Sequence, residues 1–300
     1  MRFYVFKISL LFVFISIVLL GCYQKKAQVS SMKTWFTDRQ TIKNTVFVFV
    51  HGIKVTRQQM EHYNKKDFNI MVGSENKAIN LPSADSGRFV PMIRITMDKL
   101  GGTWVLRLNP SKVSFAQELE IQRIHDECAS IKKPIVLVGM SLGATSILNY
   151  VGTCKNKNIK ALVVEAPFDH ISSVVHTVFS PKFISKEKVE SVIETITRGK
   201  FKSNGPHAQD SVIHIPKDMP ILLIHSKNDK VIPVKSAYNL YKKLRESGHN
   251  NAHLLILEKG KHGFYQNERY GSPEVYQATV HAFYKKYHLP YDEKLAMDGE

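Results

Sequence analysis

The chain is poor in cysteine, with three in 300 residues and no C-x-x-C pair. So few thiols build neither a disulfide-rich scaffold nor a four-thiolate zinc site. No H-E-x-x-H occurs, and His249 and His253, although four apart, stand beside a glycine and two asparagines, a poor setting for a zinc pair. Pro-, Ser- or Gly-rich tracts that would mark a linker are missing, as are internal repeats, so the body of the chain reads as one domain. Acidic side chains are in deficit: 42 Lys and Arg against 26 Asp and Glu give a net charge of +16. The excess comes as scattered doublets (Lys25-Lys26, Lys132-Lys133, Lys242-Lys243, Lys285-Lys286) without the basic-aromatic patch of a nucleic-acid reader. Attraction to an anionic lipid or polysaccharide surface explains it more simply. With 43% apolar and 10% aromatic residues, disorder along the whole chain is excluded.

What is present begins at the amino terminus. Arg2 and Lys7 precede an apolar run from Ile8 to Leu20, too short to span a bilayer comfortably, where about 20 apolar residues are needed. It ends in Leu19-Leu20-Gly21-Cys22, which resembles the lipobox of bacterial lipoproteins. The resemblance implies removal of residues 1–21, a lipid on Cys22 as first mature residue, and a charge of +14 once Arg2 and Lys7 are gone. Leu20 stands where a small residue is more usual, and an uncleaved membrane anchor is the alternative. Tyr23 in place of an aspartate points to the periplasmic face of an outer membrane, with residues 22–44 as tether and lead-in.

Thr45 to Val50 is a continuous apolar, β-rich run that stops at His51-Gly52, the pattern of a buried parallel strand. Ile135–Val138, Ala161–Val164, Ile221–Ile224 and Leu254–Leu257 repeat it. Helices are predicted over Phe115–Ile131, Leu142–Val151, Val234–Ser247 and Pro273–Tyr287. Strand alternating with helix predicts an α/β domain over residues 45–288, a mostly parallel sheet with helices on both faces, followed by a tail at 289–300. The 52 residues from Phe168 to Met219 are far more than one crossover needs, and an inserted cap, with a helix near Ser185–Thr197, is expected there.

Gly139-Met140-Ser141-Leu142-Gly143 fits G-x-S-x-G between a strand and a helix, where a sharp turn exposes a serine Oγ near a helix amino terminus. Serine at its free pKa needs a base that titrates near neutrality, and imidazole does so unperturbed. A carboxylate on the far ring nitrogen then fixes the tautomer. Asp229 follows strand Ile221–Ile224 and His262 follows strand Leu254–Leu257, in the chain order serine, acid, histidine. Asp169, one strand earlier, is the rival acid, or caps the segment starting near Ile171.

This ordered set, with strand-His51-Gly52 before it and Val231-Ile232-Pro233 after Asp229, resembles the α/β-hydrolases, in particular their serine-aminopeptidase and prolyl-oligopeptidase-like branch, over about Thr45 to Tyr287. The resemblance implies Ser141 as nucleophile, His262 as base then acid, Asp229 as its orienting group, and an oxyanion hole from the N–H groups of Leu142 and Ile53. The chain departs from the family before Thr45, where the usual first strands have little room, and across the 70s to 110s. Of the other histidines, His51 is expected to shape the oxyanion loop and His225 to be half-buried and satisfied, while His62, His125, His281 and His288 read as surface. Cys128 and Cys154 read as buried free thiols. The expectation is a membrane-tethered serine hydrolase acting through an acyl-enzyme, using neither metal nor organic cofactor, with a small-molecule or peptide acyl substrate. Esters are preferred to peptides, and a catalytically silent envelope-binding lipoprotein is the rival from another class.

Overall fold

A computed structural model describes residues 45–52, 75–79, 81–82, 93–97, 102–106, 112–179, 184–263, 265–266 and 269–297. Among the described residues there are eight strands: β1 (Val46–Val50), β2 (Glu75–Ile79), β3 (Ile93–Met97), β4 (Gly102–Leu106), β5 (Ile135–Met140), β6 (Ile159–Glu165), β7 (Ile221–Ser226) and β8 (Ala252–Leu257). Six form one parallel sheet in the order β2-β1-β5-β6-β7-β8, and β3 pairs with β4 as a separate antiparallel hairpin. Every residue of β1 and β5 is buried, which is why both read as unbroken apolar runs, whereas β8 at the edge is only half-covered along most of its length.

Register brings the strand ends together. Val50 lies opposite Gly139, Met140 opposite Glu165, and Ser226 opposite Leu257. The loops that follow β1, β5, β6, β7 and β8 therefore start from one edge of the sheet. After β1 the chain adds β2 on one side and returns to place β5 on the other, and in open parallel sheets such a reversal of strand order is where ligands bind, at the carboxyl ends of the strands, here β1 and β5.

The helices are α1 (Glu118–Ala129), α2 (Leu142–Thr153), α3 (Ile171–Phe179), α4 (Lys186–Ile196), α5 (Ala208–Ser211), α6 (Val234–Glu246), α7 (Pro273–Lys286) and α8 (Glu293–Met297). α1 starts three residues later than its apolar spacing predicts, because Phe115 and Ala116 have φ of 49° and 73°, outside the right-handed helical region. The buried Glu120 carboxylate instead reaches back to the backbone N–H groups of Ser114 and Ala116 and to the Ser114 hydroxyl.

Two expectations are corrected. Residues 289–297 are no tail: Leu289, Tyr291, Asp292 and Ala296 are buried, and α8 packs on α7. Asp292 sets this return, its N–H donating to His281 Nδ1 at 2.9 Å and its carboxylate accepting from the Lys294 N–H at 3.0 Å. His281 accordingly is buried, not at the surface. It falls on the inward stripe of α7 with Tyr276, Gln277, Val280 and Tyr284, and burial pushes its pKa down to about 4. Tyr284 on that stripe packs edge-on against Phe47 of β1, with ring centroids 5.4 Å apart.

The segment between β6 and β7 folds as α3, α4, α5 and a 3-10 turn at Val212–His214. It is docked, not loose. Phe168 N–H donates to Thr145 Oγ1 of α2 at 2.9 Å, Lys202 N–H to Gln117 Oε1 at 2.8 Å, and Asn149 Nδ2 to the Pro206 carbonyl at 3.2 Å. Phe201, Ala208, Val212 and Ile215 are buried in the common core. Among the described residues no helix is long and apolar enough to cross a membrane. The leader, Cys22 and the tether to residue 44 lie outside the described residues, as do His62 and Ile53.

Candidate active site

Ser141 occupies the residue between β5 and α2 with φ 56° and ψ −121°, an uncommon conformation for a side chain other than glycine. The strain is held from both sides. Its N–H donates to the Glu165 carbonyl at 2.8 Å across the β5–β6 pair, and its carbonyl accepts the Thr145 N–H at 3.1 Å in the first turn of α2. The flanking glycines are needed for space. A Cβ on Gly139 would stand 2.9 Å from the backbone N of Ala144, and one on Gly143 only 2.0 Å from the Val50 carbonyl oxygen. Any side chain at either position would therefore push α2 off the ends of β5 and β1.

His262 lies in the turn after β8 and brings Nε2 to 3.0 Å from Ser141 Oγ, while its Nδ1 is 2.8 Å from Asp229 Oδ2. The three residues expected from chain order thus meet, and all are buried, with Ser141 7% exposed. Asp229 is saturated: Oδ1 accepts the N–H groups of Val231 at 2.8 Å and Ile232 at 2.9 Å, and Oδ2 accepts the Tyr265 hydroxyl at 2.6 Å besides the His262 ring. Burial alone would raise its pKa, but the adjacent His262 and these hydrogen bonds hold it down to about 2. For His262 burial favours the neutral ring, and the Asp229 carboxylate overrides this and raises the pKa above the ordinary histidine value.

Asp169, the rival acid, is elsewhere engaged. Oδ1 accepts the Ser236 hydroxyl at 2.8 Å and the His170 N–H at 2.9 Å, and Oδ2 accepts Asn239 Nδ2 at 2.7 Å. It ties the start of α3 to α6. His225 is fully buried, not half-buried, and only its Nε2 is satisfied, 3.0 Å from the Ile232 carbonyl. His51 is buried too, and its Nε2 accepts the Leu81 N–H at 3.1 Å. The residue after it, Gly52, packs beside Ser141, where an added Cβ would meet Ser141 Cβ at 3.2 Å. The Leu142 N–H stands at the first position of α2, where helix geometry provides no intrahelical acceptor. His249 and His253 make separate contacts, to the Ile215 carbonyl at 2.8 Å and the Tyr287 hydroxyl at 2.6 Å. Cys128 and Cys154 are free, Cys128 buried and Cys154 half-buried.

Two side chains at the site carried no motif. Tyr265, three residues past His262, is buried against Asp229, and its only sequence signal was that short spacing. Glu165 ends β6, and its buried carboxyl is pushed up to about 7 by desolvation, which the neighbouring Tyr276 hydroxyl offsets only in part.

A six-stranded parallel sheet, a strained residue at a strand-to-helix turn and an acid and a histidine on later loops of the same edge define an α/β-hydrolase fold. Solved structures agree on the fold. The acylaminoacyl peptidase of Pyrococcus horikoshii superposes with a TM-score of 0.55 at 15% identity, over 88% of this chain and 40% of that one. The Pyrococcus furiosus esterase Pf2001 superposes with a TM-score of 0.51 at 16% identity, over 81% of each chain. The sequence profile of the prolyl oligopeptidase family matches residues 127–289, more than half the chain, and the chain belongs to that family. Relatives include the uncharacterized protein YfhR of Escherichia coli K12, 23% identical over 49% of this chain and 43% of that one. Another is the uncharacterized protein R595 of Acanthamoeba polyphaga mimivirus, 27% identical over 49% and 46%. The matches thus span less than half the length of these curated relatives.

Proposed function

We propose that the chain is a membrane-tethered serine hydrolase that cleaves a carboxylic ester, thioester or peptide carbonyl through an acyl-enzyme on Ser141. The observation that carries the reading is the unbroken relay from Ser141 Oγ to His262 Nε2 at 3.0 Å and from His262 Nδ1 to Asp229 Oδ2 at 2.8 Å. His262 takes the hydroxyl proton as Ser141 attacks and returns it to the leaving group, and Asp229 stabilises the imidazolium without being protonated itself. The raised pKa of His262 makes it the stronger base, and the depressed pKa of Asp229 keeps that group a carboxylate throughout. The Leu142 N–H, with that of Ile53, is assigned to the oxyanion.

Esters come first because their leaving group asks least of the acid step. Peptides are the second reading, favoured by the family to which the chain belongs. The docked segment 168–219, leaving the sheet just after the Glu165 carbonyl that holds Ser141, is assigned as a cap that selects the acyl chain. A silent binding protein is disfavoured because all three triad side chains are present and joined.

A panel of p-nitrophenyl esters of graded chain length and of aminoacyl amides tests the reaction. Ester turnover with a higher kcat/KM than amide turnover is expected. Faster amides would make the chain a peptidase, and no turnover of either class would remove the hydrolase reading. The tether rests on the Lys7-flanked apolar run and Cys22. Cys22→Ser should move the protein from the detergent to the aqueous phase or leave an uncleaved precursor, and unlipidated wild-type protein would overturn it.

A further inference from the structure

Outside the triad, three side chains from separate parts of segment 168–219 converge. His170 precedes α3, Glu190 lies on α4 and His207 precedes α5, and one ligand-capable atom from each lies within 4.8 Å of the others. Glu190 faces both rings: Oε1 is 3.6 Å from His170 Nδ1 and Oε2 is 3.7 Å from His207 Nε2. These separations are too long for hydrogen bonds. Donors held at about 2.0–2.2 Å from one tetrahedral zinc ion lie roughly 3.4 Å from each other, so each ring already stands near that distance from one carboxylate oxygen, and the whole set, within 4.8 Å, has to close slightly on an ion. The two rings lie side by side, tilted by 37° with centroids 4.4 Å apart.

We propose that His170, Glu190 and His207 form a binding site for one divalent transition-metal ion, with zinc as the best match to two imidazoles and a carboxylate. The supporting contacts are those a metal site requires. Ser172 Oγ donates to Glu190 Oε1 at 2.8 Å and orients the carboxylate, and the His170 backbone is fixed by its N–H bond to Asp169 Oδ1 at 2.9 Å. His207 Nε2 also lies 3.1 Å from the Ser203 carbonyl. That contact uses Nε2–H as the donor, so metal binding would replace it and move the ring proton to Nδ1. All three side chains are largely buried, His170 the least at 18% exposed.

The role is structural. One ion joins three separate parts of a segment whose described residues form helices and turns, and it does so beside Asp169 at the edge that carries the triad. The site is independent of the hydrolase reading.

The test is zinc uptake by the tag-free full chain, stripped with a chelator and titrated against a chromogenic competitor. Wild type and Ser141→Ala should each bind one equivalent and melt at a higher temperature with zinc. His170→Ala and His207→Ala should each weaken binding at least 100-fold, Glu190→Gln at least tenfold, and His249→Ala not at all. Should an alanine variant fold poorly, His170→Gln and His207→Gln carry the same expectation. Cobalt in the wild-type protein should give the visible absorption of a low-coordinate site with nitrogen and oxygen donors. Absence of stoichiometric uptake by wild type, or uptake unchanged in the histidine variants, would overturn the proposal.

Discussion

Asp169 and Asp229 follow adjacent strands of one sheet, β6 and β7, on the same edge, and each is buried and hydrogen-bonded through both oxygens. Both accept several hydrogen bonds, yet their partners differ. Asp229 divides its oxygens between the backbone of its own loop and the His262 ring, whereas Asp169 spends both on Ser236, Asn239 and the His170 N–H. Burial and a lowered pKa are common to the two and so do not mark a catalytic acid. What separates them is a single imidazole that also touches Ser141. Because both pKa values lie below the unfolded aspartate value, each carboxylate contributes stability above about pH 4 that is lost as pH falls through its folded pKa.

The comparison can be broken at five residues. Ser141→Ala or His262→Ala should each cost on the order of 10⁶ in kcat, and the double variant should be scarcely worse, since nucleophile and base act as one unit. Steady-state rates on the best ester measure this, and full activity in Ser141→Ala would refute it. Asp229→Asn should cost about 10⁴, because the ring loses its tautomer and its counter-charge. In wild type the rate should rise with pH through a His262 pKa above 6.5, since the base must be neutral, and in Asp229→Asn that limb should move to lower pH. Tyr265→Phe removes one donor to the Asp229 carboxylate and should lower kcat roughly tenfold, as expected for about 1.5 kcal/mol from a hydrogen bond to a charged group. Asp169→Asn should leave kcat within about twofold while lowering the denaturation midpoint by an amount equivalent to about 1–3 kcal/mol, because it frees buried donors on α6.

Much of this was legible in the residues. The apolar runs behind β1, β5, β6, β7 and β8 mark buried parallel strands, and the serine, acid and histidine follow three of them in order. β2 escaped because Glu-Asn-Lys-Ala-Ile, at the edge of the sheet among the described residues, carries no apolar run. The β3–β4 hairpin lies outside the parallel sheet and follows none of its pattern. His281 misread as surface because a histidine on a helix gives no sign of which stripe faces inward until Tyr276, Val280 and Tyr284 are placed. The 170, 190 and 207 cluster has no ligand spacing along the chain, since its members are joined only when α3, α4 and α5 fold together.

The central claim is that Ser141 is the residue activated by His262 and that Asp229, not Asp169, supports it. Labelling the purified chain with a fluorophosphonate probe and locating the adduct by mass spectrometry tests this directly. The account predicts a single adduct on Ser141, formed at the wild-type rate in Asp169→Asn, strongly slowed in Asp229→Asn and absent in His262→Ala. An adduct on another residue, or labelling of Ser141 that is slowed by Asp169→Asn and indifferent to Asp229→Asn, would contradict it.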